Sequence, residues 1–357
     1  MADKLAGSFT GTMAVQDKHQ FDVARLHAYM AEHVEGFSGE LSVAQFKGGQ
    51  SNPTYKLNAG GKDYVLRRKP PGALLASAHA VDREYRVMTA LASTDVPVAK
   101  TYSLCEDESV IGTPFYIMDC VNGRVLWDPE LPDLSPGERT AIFEDMNRVM
   151  AALHSVDYTA IGLESFGKAG NYFERQISRW SKQYRASEIG KIEAMERLIE
   201  WLPDNIPEGD DTAIVHGDFR LDNMMLHPTE PRIIAVLDWE LSTLGHPLAD
   251  FAYHCMTWHL PNTVRGLAGT DLKSIGIPSE AEHIKDYCQR TNKEIDPRHW
   301  DFYMAYNMFR LAGILQGIMG RVKSGTAASK QAEEMGSAAK PLAELAWHQV
   351  EKMQSRT

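Results

Sequence analysis

The 357-residue chain exceeds the usual single-domain size of about 100–200 residues, so two lobes or domains are expected, each burying its own core. With 43% hydrophobic and 24% charged residues it reads as an ordinary globular protein, and 37 basic against 48 acidic side chains give a net charge of −11, which repels phosphate backbones and argues against a nucleic-acid partner. Four scattered cysteines without a C-x-x-C pair argue against a disulfide framework or thiolate zinc site. The lack of an apolar run of about 18 residues argues against membrane spanning, so a cytoplasmic location is expected.

Residues 1–20 read as a flexible leader, after which Phe21, Val23, Leu26, Met30 and Val34 recur at helical spacing. Extended runs follow at 41–47, 54–59 and 63–69, joined by Gly48-Gly49-Gln50-Ser51-Asn52-Pro53 and a Gly60-Gly61 turn. A helix is expected at about 79–93, then strands near 101–105 and 114–120. Ser135-Pro136-Gly137-Glu138 reads as a capping box with proline in the first turn, and Ile142, Val149 and Leu153 continue the apolar stripe. Further helices are expected at 171–187, 191–201, 246–258, 280–291 and 300–322. Short apolar runs at 213–216, 223–226 and 232–239 are set among them. There is no internal repeat, and the small-residue segment 324–339 reads as a mobile loop or weak helix.

The chemistry concentrates in His216-Gly217-Asp218-Phe219-Arg220-Leu221-Asp222-Asn223 and in Asp238, each acid preceded by an apolar run that places it at a strand end. Phosphoryl transfer from ATP needs a carboxylate to orient and accept the proton of the attacking hydroxyl, together with oxygen ligands for magnesium. Asp218 suits the first role, while Asn223 and Asp238 suit the second. The plain alternative is a polar turn in which Asp218 caps backbone amides. In the sheet-forming third, Glu84 lies on an otherwise apolar helix stripe, where a buried carboxylate needs a cation, and Arg67 at the end of Tyr64-Val65-Leu66 is the candidate partner. Otherwise Glu84 reaches around to solvent. Gly48, Gly49, Gln50, Ser51 and Asn52 offer small side chains and backbone amides suited to covering a phosphate, although such loops are also plain hairpin turns.

This arrangement resembles the aminoglycoside phosphotransferase (kinase-like) family. VLRRKPPG, AHAVDREYRVM, VHGDFRLDN and VLDWELSTLGHPLADFAYH resemble the branch related to kinase domains fused to some acyl-CoA dehydrogenases, over about residues 20–320. The resemblance implies an α+β, two-lobed protein-kinase-like fold: an N-lobe of antiparallel sheet plus helix at 21–121, and a mainly helical C-lobe at 122–357. It implies Asp218 as catalytic base, Asn223 and Asp238 as magnesium ligands, and Arg67 with Glu84 as the phosphate-holding pair. Arginine stands at 67 where many members have lysine, so a planar fork replaces a point charge. Met118, Asp119, Cys120 and Val121 are implied as the hinge that meets adenine, and His216 and Asp250 as braces of the catalytic loop.

A protein kinase would carry a long segment between D-F-G and A-P-E, which the chain after Asp238-Trp239-Glu240 has no room for. A metal-dependent hydrolase using His216, Asp218 and Asp238 lacks H-E-x-x-H, and a non-catalytic pseudokinase would have lost Asp218 or Asp238. The expectation is therefore an ATP- and magnesium-dependent kinase of a small-molecule hydroxyl, with neither nucleic acid nor membrane as partner. If, as the resemblance implies, the acid-poor stretches 251–260 and 300–319 flank the acceptor side of the cleft, they suit a hydroxyl on an apolar chain better than a polycationic aminoglycoside, unless they are simply helical core. The relatedness to kinase domains joined to acyl-CoA dehydrogenases points the same way, toward a hydroxyacyl-CoA.

Overall fold

The computed structural model describes residues 11–47, 52–71, 80–323 and 336–355. The chain forms two compact units, one of Met1–Phe166, Arg220–Ser242 and Asp271–Pro278, the other of Gly167–Phe219, Thr243–Thr270 and Ser279–Thr357.

The first unit is organised by a six-stranded antiparallel sheet. Its strands are β1 (Thr12–Met13), β2 (Ser42–Phe46), β3 (Thr54–Ala59), β4 (Lys62–Arg68), β5 (Thr101–Cys105) and β6 (Phe115–Asp119), in the order β1-β2-β3-β4-β6-β5. The two-residue period of a strand decides what each side chain meets. Tyr64 and Leu66 of β4, with Phe115 and Ile117 of β6, join Leu26, Met30 and Val34 from helix α1 (Val23–His33) and its end in one buried cluster. Arg67 and Tyr116 alternate to the opposite face, where the β4–β6 register sets them directly across from each other. Helix α2 (Val81–Leu91) packs there, burying Val81, Val87, Met88 and Leu91 and also Glu84. The short helix α3 (Glu108–Ile111) contacts α1.

Helix α4 (Pro136–Ser155) begins with the reciprocal Ser135–Glu138 capping box expected from the sequence. Its Asp145 accepts a 2.6 Å bond from the Ile233 amide, fastening a hairpin whose strands, β8 and β9, are Met224–Leu226 and Ile233–Val236.

In the second unit a ribbon pairs β7 (Ala213–Val215) with β10 (Thr243–Gly245). A Cβ at Gly245 would lie 2.7 Å from the Tyr172 ring, so only glycine lets this strand end approach helix α5 (Tyr172–Ala186). Helix α6 (Glu193–Asp204) precedes the ribbon; α7 (Pro247–Cys255) follows it, with Pro247 in the first turn and His246 capping the Leu248 amide. After α8 (Leu272–Ile275), which belongs to the first unit, come α9 (Glu280–Thr291), α10 (Pro297–Lys323) and α11 (Ala339–Gln354). Helix α10 packs against α5, α7 and α11, burying Phe302, Met304, Tyr306, Met308 and Phe309. Each such side chain stabilises the unit by about 1.5–3 kcal/mol before entropy is counted.

The α+β reading holds, with differences at the edges. The helix expected at 246–258 is α7 followed by a 3-10 turn at Met256–Trp258. Asn223 lies in a 3-10 turn ahead of β8, and Asp238 lies past the end of β9. Strand β10 is too short to show a period, and α11 presents an alanine-rich stripe (Ala339, Ala343, Ala346) with little apolar contrast. Of the segment 324–339, residues 324–335 lie outside the described residues.

Candidate active site

The face of the sheet carrying Arg67 becomes a charge cluster because four neighbours converge on two buried groups. Glu84, 1% exposed, accepts hydrogen bonds from Asn52 Nδ2 at 2.8 Å and the Tyr116 hydroxyl at 3.0 Å, and lies 2.9 Å from Arg67 Nε. The same guanidinium reaches forward through Nη2, 2.6 Å from Asp238 Oδ1 and 3.4 Å from Glu240 Oε2. Burial works against the Arg67 charge, but Glu84, Tyr116, Asp238 and Glu240 outweigh it and keep the guanidinium firmly protonated. Glu84 pays for the crowding. Burial pushes its pKa up, Arg67 pulls it down, and the neighbouring Asp238 and Glu240 charges help bring it to about 7. The structure thus brings Arg67 and Glu84 together and adds Asn52, Tyr116 and Glu240. Glu240 stands two residues after Asp238 and could have been read as part of the acidic motif. Tyr116 could not, because its role depends on the β4–β6 register.

The hairpin carries Asn223 and Asp238 at one end. Met224 pairs with Val236, so the residues flanking that pair lie at the same end, and the Leu237 amide donates to the Asn223 carbonyl at 2.8 Å. Asp238 adopts the left-handed conformation, φ 63° and ψ 61°, which a non-glycine residue enters at a cost and which aspartate tolerates better than most. An amide oxygen and a carboxylate are the hard donors magnesium prefers, with waters and phosphate oxygens completing its shell. The donor chemistry therefore fits. Among the described residues no three His, Cys, Asp or Glu side chains are grouped to hold a metal, so a site here rests on these two donors and the ligand's own oxygens.

The hinge candidates end β6. Met118 pairs with Val65; the Asp119 carboxylate accepts a bond from the Tyr102 hydroxyl and lies 3.6 Å from Lys62 Nζ; Cys120 is half-buried and Val121 follows it. Asn52 is fully buried on Glu84, while Gly48, Gly49, Gln50 and Ser51 lie outside the described residues.

The loop bearing Asp218 belongs to the second unit. Asp250, 3% exposed in α7, receives the His216 amide at 2.7 Å and the Gly217 amide at 2.8 Å, one on each carboxylate oxygen. Gly217 has φ 83°, and its carbonyl accepts a 2.9 Å bond from Arg310 Nη2 of α10. The Asp218 amide donates to His216 Nδ1 at 3.2 Å. The side chain of Asp218 accepts a hydrogen bond from the Tyr253 hydroxyl at 2.5 Å. Tyr253 sits three residues after Asp250, on the same helix face, and that spacing was the signal available in the sequence. Behind the loop, Phe219 packs on His254, whose Nε2 is 3.1 Å from His283 Nε2. Burial keeps both imidazoles neutral: it lowers His254 to about 4 against the pull of Asp250, and lowers His283 well below the usual imidazole range, helped by His254 and Arg290. The aromatic stretches of α7 and α10 are largely core: Phe251, Cys255, Met256, Phe302 and Met304 are all buried.

The family model described as the phosphotransferase enzyme family matches residues 42–278, more than half of the chain. This chain belongs to that family. Its enzymes act on hydroxyl groups, and the kinase-like fold agrees with solved relatives. A crystal structure from Ralstonia eutropha, named as a candidate aminoglycoside phosphotransferase, is 60% identical with a TM-score of 0.88, covering 93% of this chain and 99% of that one. Aminoglycoside phosphotransferase APH(4)-Ia, solved with ADP and hygromycin B, shares the fold at 16% identity and a TM-score of 0.58 over 90% of this chain and 97% of its own. Among curated proteins, mouse acyl-CoA dehydrogenase family member 10 is 49% identical over 87% of this chain and 29% of its own length. Human acyl-CoA dehydrogenase family member 11 is 44% identical over 92% of this chain and 43% of its own. The chain spans less than half the length of these curated relatives.

Proposed function

We propose that this small-molecule phosphotransferase moves the γ-phosphate of ATP onto a hydroxyl of a hydroxyacyl-CoA or similar hydroxyacyl thioester. The observation that carries the catalytic part is the Asp218 carboxylate, set by the Asp250-pinned loop and already accepting an O–H donor at 2.5 Å. A hydroxyl acceptor needs that same contact. In the reaction the acceptor O–H proton passes to Asp218, the acceptor oxygen bonds the γ-phosphorus, and the bond to the β-phosphate oxygen breaks to release ADP. Asn223 and Asp238 would hold magnesium, which when bound neutralises phosphate charge. Arg67, anchored on Glu84, supplies the cation for the phosphates. Residues 21–121 act as the nucleotide-covering lobe with the hinge at Met118, Asp119, Cys120 and Val121, and residues 122–357 carry the catalytic and acceptor-binding groups. A cytoplasmic location accompanies this reading.

The acceptor rests on the relatives named for acyl-CoA dehydrogenases, which are 44–49% identical over most of this chain. The buried aromatics of α7 and α10 lend it no support, since they form core. A coupled ADP assay with matched 4-hydroxyacyl-CoA and kanamycin substrates tests it. Turnover of the thioester at about 1–100 per second, the usual kinase range, is expected. Faster phosphorylation of kanamycin would overturn the acceptor assignment.

A further inference from the structure

The Tyr253 hydroxyl makes to Asp218 the bond that an acceptor must make. It is an O–H donor on Oδ1 at 2.5 Å, at the short end for a hydrogen bond to a carboxylate. Two features show that the protein builds this contact. Tyr253 and Asp250 project from adjacent turns of one helix face toward the same three-residue loop, one meeting its carboxylate and the other its amides. Beneath the Tyr253 ring lies the Arg310 guanidinium, 5.3 Å from the ring centroid and itself fixed to the Gly217 carbonyl, so a cation–π contact aims the phenol. Arg310 is buried, whereas Tyr253 is half-buried.

We infer that Tyr253 guards the base: its hydroxyl fills the acceptor's place on Asp218 until a bound acceptor displaces it, so that water is not phosphorylated in the acceptor's absence. The inference rests on the reading of Asp218 as the base of a kinase. A phosphotransferase holding ATP faces a small, abundant competitor in water, and excluding it from the proton acceptor prevents the futile reaction. In that reaction a water O–H proton would pass to Asp218, its oxygen would bond the γ-phosphorus, and ADP would leave with inorganic phosphate released. Tyr253 is therefore a specificity residue, setting acceptor against water.

The test compares the native full chain with Tyr253→Phe, which keeps the ring and its contact with Arg310. ADP release is measured with magnesium and ATP and no acceptor, and binding of a non-hydrolysable ATP analogue is followed by calorimetry. Acceptor-independent ADP release is expected to rise about tenfold, the scale of one lost hydrogen bond, and to disappear when Asp218→Asn is added. Damage to the fold cannot produce such a gain. Unchanged or lower ADP release with analogue binding intact would overturn the guard while leaving the kinase reading standing. Phosphate found on Tyr253 by mass spectrometry would make the phenol an acceptor and also overturn it. Absence of nucleotide binding in both proteins would sink the kinase reading and the guard together.

Discussion

Arg67 answers three carboxylates with one guanidinium, whereas the loop at 216–218 is held through its backbone, its His216 and Gly217 amides on the buried Asp250 carboxylate and its Gly217 carbonyl on Arg310. The first arrangement is ionic and under-compensated. Its charges can be shared out afresh when a ligand brings charges of its own. The second matches donors to acceptors on neighbouring elements, which holds the loop in one geometry. Their pH responses also have opposite signs, because burial protonates a carboxylate but deprotonates an imidazole.

Removing the cation should break the first region most severely. Arg67→Ala leaves Glu84 buried without its counter-charge, and a loss of about 3–5 kcal/mol in urea unfolding is expected. Arg67→Lys, which keeps the charge but not the fork, should lose clearly less; equal losses would show that packing, not charge, anchors the cluster. In the second region, Asp250→Ala strands two buried amides, and a loss of about 2–4 kcal/mol is expected from the same measurement. A loss below about 1 kcal/mol would mean the loop relaxes onto other partners.

The smallest effect sharpens the contrast through pH. Glu84 is raised from 4.5 to about 7, so the folded state holds a proton there more tightly than the unfolded chain does. Its contribution is full below pH 4.5 and is lost as pH rises toward 7. His254 is lowered from 6.5 to about 4, so the unfolded chain binds the proton more tightly, and stability is lost as pH falls from 6.5 toward 4. Urea unfolding in magnesium-free buffer should therefore show losses on both sides. Glu84→Gln should flatten the alkaline-going loss between pH 4.5 and 7, and His254→Gln the acid-going one. Identical profiles in all three proteins would remove these residues from the account.

The loop was the more legible region because its parts are close in sequence. Apolar runs end at acids, and Asp218 and Asn223 fall within one segment, so both could be singled out as candidates without knowing the fold. The Arg67 cluster gathers Asn52, Glu84, Tyr116, Asp238 and Glu240 from across the first unit. The Arg67–Glu84 pairing had a local warrant, a carboxylate on an apolar stripe, and Asn52 and Asp238 stood out singly, but their convergence on that pair did not. That convergence depends on strand register and on a left-handed residue at 238, neither of which composition or periodicity specifies. Helix α11 escaped for the milder reason that alanines bury well but contrast poorly with their surroundings.

The division of labour between the two regions can be tested in one variant, Asp218→Asn, by measuring Mg·ATP affinity by calorimetry alongside ADP release with a hydroxyacyl-CoA acceptor. Affinity within about twofold of the native protein is expected, with turnover reduced at least about 100-fold, as for a lost general base. Native-like turnover in this variant would contradict the account, whatever its affinity for nucleotide.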